Sequence, residues 1–154
     1  MPHSDTSKSV LPCKDKRSRS PCPVTFALDM FGDKWSLLIV RDLLFRGRKT
    51  YGEFLAAGDG ISTNILADRL KNLETKGIIV KSTDSENRRK NIYKLTQKGL
   101  DLMPILLEMI RWSGSYDPQT GAPKEFLERL DNDKDSLVAD LLNELKIWRD
   151  LGEF

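Results

Sequence analysis

Between Thr50 and Leu95 the chain carries a short capped helix, a glycine turn, a second capped helix and two β-type runs around a wholly polar tip. Few folds accommodate that order. Thr50 and Glu53 stand three residues apart, the spacing of a capping box, and open a helix through Tyr51, Phe54 and Leu55. Gly58-Asp59-Gly60 is a tight turn. Ser62 caps the next helix, which ends at Gly77 and stacks Leu66, Leu70 and Leu73 on one inner face. Ile78 to Thr83 and Asn91 to Leu95 then read as strands, and Asp84 to Arg89 as the charged tip of a hairpin. Helix, glycine turn, capped helix and hairpin together predict a winged helix-turn-helix. The fold class is therefore mainly α with a small β-hairpin, extended at the C-terminal end by further helices.

The flanks complete this plan. Residues 1–20, rich in Ser, Lys, Arg and Pro, have no apolar period and read as a disordered basic arm. Pro23 suits the first position of a helix carrying Phe26, Leu28, Met30 and Phe31, closed by Gly32. Asp33 can cap a second helix whose apolar positions, from Trp35 to Leu44, wrap nearly all round, as in a central buried helix. Thr96 caps a fifth helix expected to run through Leu102, Leu106, Met109, Ile110 and Trp112, with Pro104 bending it from inside. The winged helix-turn-helix domain is placed at residues 21–116. Residues 117–154 form an acidic helical extension, with Phe126, Leu127 and Leu130 in one helix and Leu137, Val138, Leu141, Leu142, Leu145 and Trp148 in another.

A formal net charge of +2 hides a strong asymmetry. Residues 41–98 hold 13 Lys/Arg against 7 Asp/Glu, whereas residues 99–154 hold 6 against 12. A basic middle suits phosphate, and an acidic end is repelled by it. His3, the one histidine, falls in the basic arm, and no nucleotide-binding glycine fingerprint or paired acid/base cluster is present, so no enzyme is expected. Cys13 and Cys22 match no zinc spacing, and neither a metal nor a cofactor is expected. Without a secretory h-region or a membrane-length apolar run, the chain reads as a soluble cytoplasmic protein.

The residues in their order also resemble one family, the HxlR-type winged-helix regulators, over about residues 22–116. The resemblance is carried by Cys22-Pro23, by Gly32 to Ile39, and by Arg48-Lys49-Thr50-Tyr51-Gly52-Glu53-Phe54. It continues through Gly60-Ile61-Ser62, Leu66, Leu70 and Leu73-Glu74, and ends on Tyr93 to Gly99 and Trp112. Asp33 stands where the family often has Gly, and Glu86 to Lys90 is closer to a MarR-type wing. The resemblance implies dimeric, cytoplasmic control of transcription. Some members of the family respond to oxidants or electrophiles through a cysteine just before the first helix, the place Cys22 occupies.

Turning the recognition helix by about 100° per residue puts Asn64, Asp68, Lys71 and Thr75 outward when the leucines face inward. Thr63 and Asn64 are the candidate base readers, since Asn pairs bidentately with adenine and Thr can meet a thymine methyl. Ser62 caps and can offer a backbone N–H to phosphate; Arg69 and Lys71 would neutralise phosphates; Asp68 has no evident part. In the wing, Arg88, Arg89 and Lys90 would lie along phosphates or enter the minor groove. Trp35 and Phe54 lie on apolar periods and read as core, while Tyr93 stays open between core and base stacking. A single recognition helix gives few contacts, so a homodimer on an inverted repeat of double-stranded DNA is expected, acting as a repressor. The first helix, the Leu102–Trp112 helix and the acidic tail are the candidate interface. Cys22 is the candidate redox sensor and Cys13 its resolving thiol. Two other readings remain: a MarR-like regulator with a small-molecule effector at the dimer interface, and a winged-helix protein-interaction module that binds no DNA.

Overall fold

The computed structural model describes residues 20–150. The expected basic arm up to residue 19, with Cys13 and His3, lies outside the described residues. Ten elements follow in order: α1 (Pro23–Phe31), α2 (Lys34–Phe45), α3 (Tyr51–Leu55), α4 (Thr63–Thr75), β1 (Ile79–Thr83), β2 (Asn91–Leu95), α5 (Gln97–Leu100), α6 (Met103–Tyr116), α7 (Lys124–Asn132) and α8 (Lys134–Asp150). It is the winged helix-turn-helix with helical extensions expected from the pattern of caps and periods.

Local chemistry sets most of the boundaries. Pro23, which has no N–H to leave unpaired, starts α1. Asp33 caps α2 by accepting from the backbone N–H groups of Trp35 (2.9 Å) and Ser36 (3.0 Å). The capping box of α3 closes as anticipated, with Glu53 accepting from the Thr50 N–H at 2.8 Å and Thr50 from the Glu53 N–H at 3.3 Å. Ser62 caps α4 through the Ile65 N–H. Gly77, at φ +70°, turns the chain from α4 into the hairpin, where an L side chain would be strained. β1 and β2 pair antiparallel from Ile79–Leu95 to Thr83–Asn91. Thr96 both caps α5, through the Gly99 N–H, and donates its hydroxyl proton to the Gly77 carbonyl, tying the base of the wing to the end of α4.

Helix α2 is the hub. Ile39, Val40, Leu43 and Leu44 are buried in one cluster with Phe54, with Leu66, Leu70 and Leu73 of α4, with Ile78 and Ile79, and with Leu106 and Leu107 of α6. Each such side chain contributes roughly 1.5–3 kcal/mol by leaving water. Tyr93 resolves as core: it is 8% exposed, its ring 6.1 Å from that of Phe54.

One helix differs from expectation. The single bent helix through Pro104 is two helices, α5 ending at Leu100 and α6 starting at Met103, with Pro104 in the first turn of the second. Proline lacks the N–H that an interior turn would need, and a first turn needs none, so the chain breaks ahead of it instead of bending around it. Beyond α6, helices α7 and α8 lay Leu130, Leu137 and Leu145 into the same core. α7 crosses α6 closely at Gly114, where a Cβ would come within 2.7 Å of a Leu127 methyl.

Candidate nucleic-acid interface

Three buried leucines orient α4, and Thr63, Asn64, Ala67, Asp68 and Lys71 are left exposed, as the 100° turn predicts. Its first turn is held twice. Ser62 caps it, and the Tyr51 hydroxyl donates to the Thr63 carbonyl at 2.9 Å. That second tie joins the two helices of the helix-turn-helix, and no sequence period signals it.

Arg69 does not present its charge outward. Its Nε lies 3.0 Å from Asp33 Oδ1 and its Nη1 2.8 Å from Asp68 Oδ2. The guanidinium therefore holds α4 against the start of α2 instead of standing free for phosphate. Asp68, unexplained in the sequence, is the other half of this arrangement, and it also accepts from Asn72 at 3.4 Å. Burial alone would raise the Asp33 carboxyl, but hydrogen bonds from Ser36 and Trp35, with Arg69 beside it, hold it below the ordinary carboxylate range.

The same sorting applies to most cations between residues 41 and 98. Arg41 pairs with Asp42 (2.8 Å) and Asp59 (2.6 Å), and Arg46 and Arg48 lie 3.6 and 3.2 Å from Asp42. The Lys76 ammonium donates to the Asp29 and Met30 carbonyls at the end of α1, and Lys98 to the Lys76 carbonyl. Lys71 on α4 and Lys81, Arg88, Arg89, Lys90 and Lys94 on the hairpin make no ion pair among the described residues. The uncommitted positive charge is concentrated on the recognition helix and the wing. The wing tip is itself ordered: Asn87 accepts from the Arg89 N–H and, through its carbonyl, from the Lys90 N–H at 2.8 Å. Arg88, Arg89 and Lys90 are all exposed.

Cys22 is the N-cap of α1, half-buried and free. Its side chain makes no capping hydrogen bond, but the nearby backbone N–H groups of Thr25 and then Val24 lower its pKa below that of an ordinary thiol. No group of three metal-ligating side chains occurs among the described residues, and no helix there is long and apolar enough to cross a membrane.

A capped helix α4 pinned by its neighbour, followed by a hairpin whose Arg and Lys make no ion pair among the described residues, defines a winged helix-turn-helix protein with a basic exposed face. The HxlR-like helix-turn-helix model matches residues 30–120, and the chain belongs to that family. It is 39% identical over 88 residues to the HTH-type transcriptional regulator sll1512 of Synechocystis sp., a match that spans 57% of this chain and 64% of that relative. Among solved structures, the redox regulator HypR in its reduced form is similar at 33% identity and TM-score 0.55, over 61% of this chain and 92% of that one. The reduced form of the transcriptional regulator YodB from B. subtilis is similar at 32% identity and TM-score 0.52, over 64% and 98%.

Proposed function

We infer that the chain is a DNA-binding transcriptional regulator that acts as a homodimer on an inverted repeat. The observation that carries this is that unpaired cations lie mostly on α4 and the wing, while Arg41, Arg46, Arg48, Arg69, Lys76 and Lys98 are spent on the protein itself. Thr63 and Asn64 read base edges, Ser62 and Lys71 hold phosphate, and Arg88, Arg89 and Lys90 clamp the backbone beside the half-site. Arg69 enters this reading as the residue that fixes the pose of α4. The dimer is supported by two apolar rows exposed among the described residues: Val24, Phe26 and Leu28 on α1, and Ile105, Met109, Trp112 and Tyr116 on α6.

The wing clamp is tested by salt. Arg88→Ala with Arg89→Ala is expected to weaken binding to all duplexes alike and to flatten the dependence of affinity on salt by about two counterions per wing. An unchanged slope in a fluorescence-anisotropy titration contradicts the assignment.

Cys22 supports a thiol-based signal. Its place at a helix N-terminus lowers its pKa, and HypR and YodB, both similar in fold and sequence, are redox and transcriptional regulators respectively. Cys13 is the proposed resolving thiol. Alkylation of Cys22 by iodoacetamide should rise with pH around a midpoint below the roughly 8.5 of a free cysteine. Diamide should change operator affinity at least tenfold in the wild type and not in Cys22→Ser. A midpoint at or above 8.5, or an oxidant response that survives in Cys22→Ser, rules the switch out.

A further inference from the structure

One side chain at the centre of the exposed face of α4 has the wrong sign for phosphate. Asp68 stands about 200° round the helix from Leu66, opposite the three buried leucines, and its side chain is 60% exposed. Its neighbours one turn away are Asn64, Lys71 and Asn72. A carboxylate in this place is repelled by any duplex that meets the face, so a helix that only gripped the DNA backbone would bind better without it.

The carboxylate is held, and on one oxygen only. Arg69 Nη1 donates to Asp68 Oδ2 at 2.8 Å, and Asn72 Nδ2 donates to the same oxygen at 3.4 Å. Oδ1 accepts no hydrogen bond among the described residues. Arg69 has a second anchor, its Nε lying 3.0 Å from Asp33, whose carboxylate also accepts from the Trp35 and Ser36 N–H groups at the start of α2. Asp68 is thus tied, through Arg69, to a fixed point outside its own helix. Part of its charge is offset by the guanidinium, and one acceptor atom is left unused at the middle of the exposed face.

In the major groove a lone acceptor suits cytosine, whose N4 amine is a donor, while guanine O6 and N7 and thymine O4 are acceptors and repel it. Adenine sets its N6 donor beside the N7 acceptor, a pair that an amide such as Asn64 matches and a carboxylate does not. We propose that Asp68 determines specificity by accepting a hydrogen bond from a cytosine N4 amine, with Arg69 and Asn72 holding the carboxylate ready for it. This role rests on the DNA-binding reading above. It also turns the repulsion to use, since the same charge that accepts cytosine rejects the bases that present acceptors. Asn64 and Asp68 are four residues apart, about 6 Å along α4, or roughly two base-pair steps. The cytosine therefore lies within about two base pairs of the adenine that Asn64 reads.

The test puts the full-length wild type and Asp68→Ala through enrichment of a random duplex library, then titrates single-base variants of each enriched site by anisotropy. Wild type should select cytosine at one pair of each half-site and lose about tenfold or more when that base is changed. It should lose as much when that cytosine carries an N4-methyl group, which keeps the base pair and replaces the amine hydrogen that faces the groove. Asp68→Ala should bind all four bases at that pair, and the methylated cytosine, within about twofold of one another, and keep every other enriched pair. An Asp68→Ala site identical to that of wild type at every pair, with affinity raised on all duplexes alike, would make Asp68 a repulsive charge and nothing more. A loss spread over all pairs would make it a support for the pose of α4. Either result overturns the proposal, as does an Asp68-dependent preference for another base or a wild type indifferent to the N4-methyl group, and each leaves the DNA-binding reading standing. A wild type that enriches no sequence overturns both.

Discussion

Replacing Thr63 and Asn64 together with alanine is expected to lower affinity for the operator about a hundredfold or more, while binding to unrelated duplexes stays within about twofold. A well-formed base contact discriminates by roughly 1–3 kcal/mol, and a dimer repeats the loss in each half-site. Neither side chain supports the fold: both are exposed, the Ser62 cap remains, and the Tyr51 hydroxyl meets the Thr63 carbonyl, which the substitution does not touch. The variant should therefore melt with the wild type. Anisotropy on operator and scrambled duplexes separates this outcome from a general loss of binding. An equal fall on both would move Thr63 and Asn64 from base reading to backbone contact.

The largest effect on stability is expected from Asp42→Ala. Asp42 lies on the central helix, with its side chain 3% exposed, and shares its carboxylate with Arg41 at 2.8 Å, Arg48 at 3.2 Å and Arg46 at 3.6 Å. Removing one member of a buried ionic group leaves the others uncompensated, at a cost of about 3 kcal/mol or more. Arg41 keeps Asp59, which moderates the loss, but Arg48 has no second carboxylate among the described residues. In a chain of this size each kcal/mol moves the melting temperature by about 2–4 °C, so a fall of roughly 6–12 °C is expected in calorimetry. A shift under about 2 °C would mean that the arginines find water or new partners without penalty. The substitution also removes one negative charge from the basic middle of the chain, so the variant is predicted to bind unrelated DNA more tightly even as it melts earlier.

The helix caps and the Asp42 cluster mark where sequence reasoning succeeded and where it stopped. Caps are local chemistry, and Asp33, Thr50 with Glu53, Ser62 and Thr96 were legible because each acts within three residues of itself. The same holds for the leucines of α4, whose period states which face is buried. Asp42 was hidden inside an apolar stripe, because what makes its burial tolerable is Arg41 beside it, itself held by the distant Asp59, together with Arg46 and Arg48 just past the helix. The ion pairs of Arg69 were hidden for a related reason: its angle is set by the helix, but its partner Asp33 caps another helix. Asp68 could have been read, since Arg69 and Asn72 lie one and four residues away. Tyr93 became core only when the hairpin carried it to Phe54. Pro104 shows a different limit. The apolar period runs on from Leu102 to Ile110, and it does not by itself separate a bent helix from a second helix that starts there.

The account turns on whether α4 and the wing read DNA, and the most direct measurement is enrichment of a random duplex library on the full-length chain. The account predicts that repeated rounds converge on an inverted repeat whose half-sites lie about one helical turn, roughly 34–36 Å, apart, with the enriched base pairs lost for Thr63→Ala with Asn64→Ala. A library that stays unenriched, or one that converges on the same sequence with both side chains removed, would contradict it.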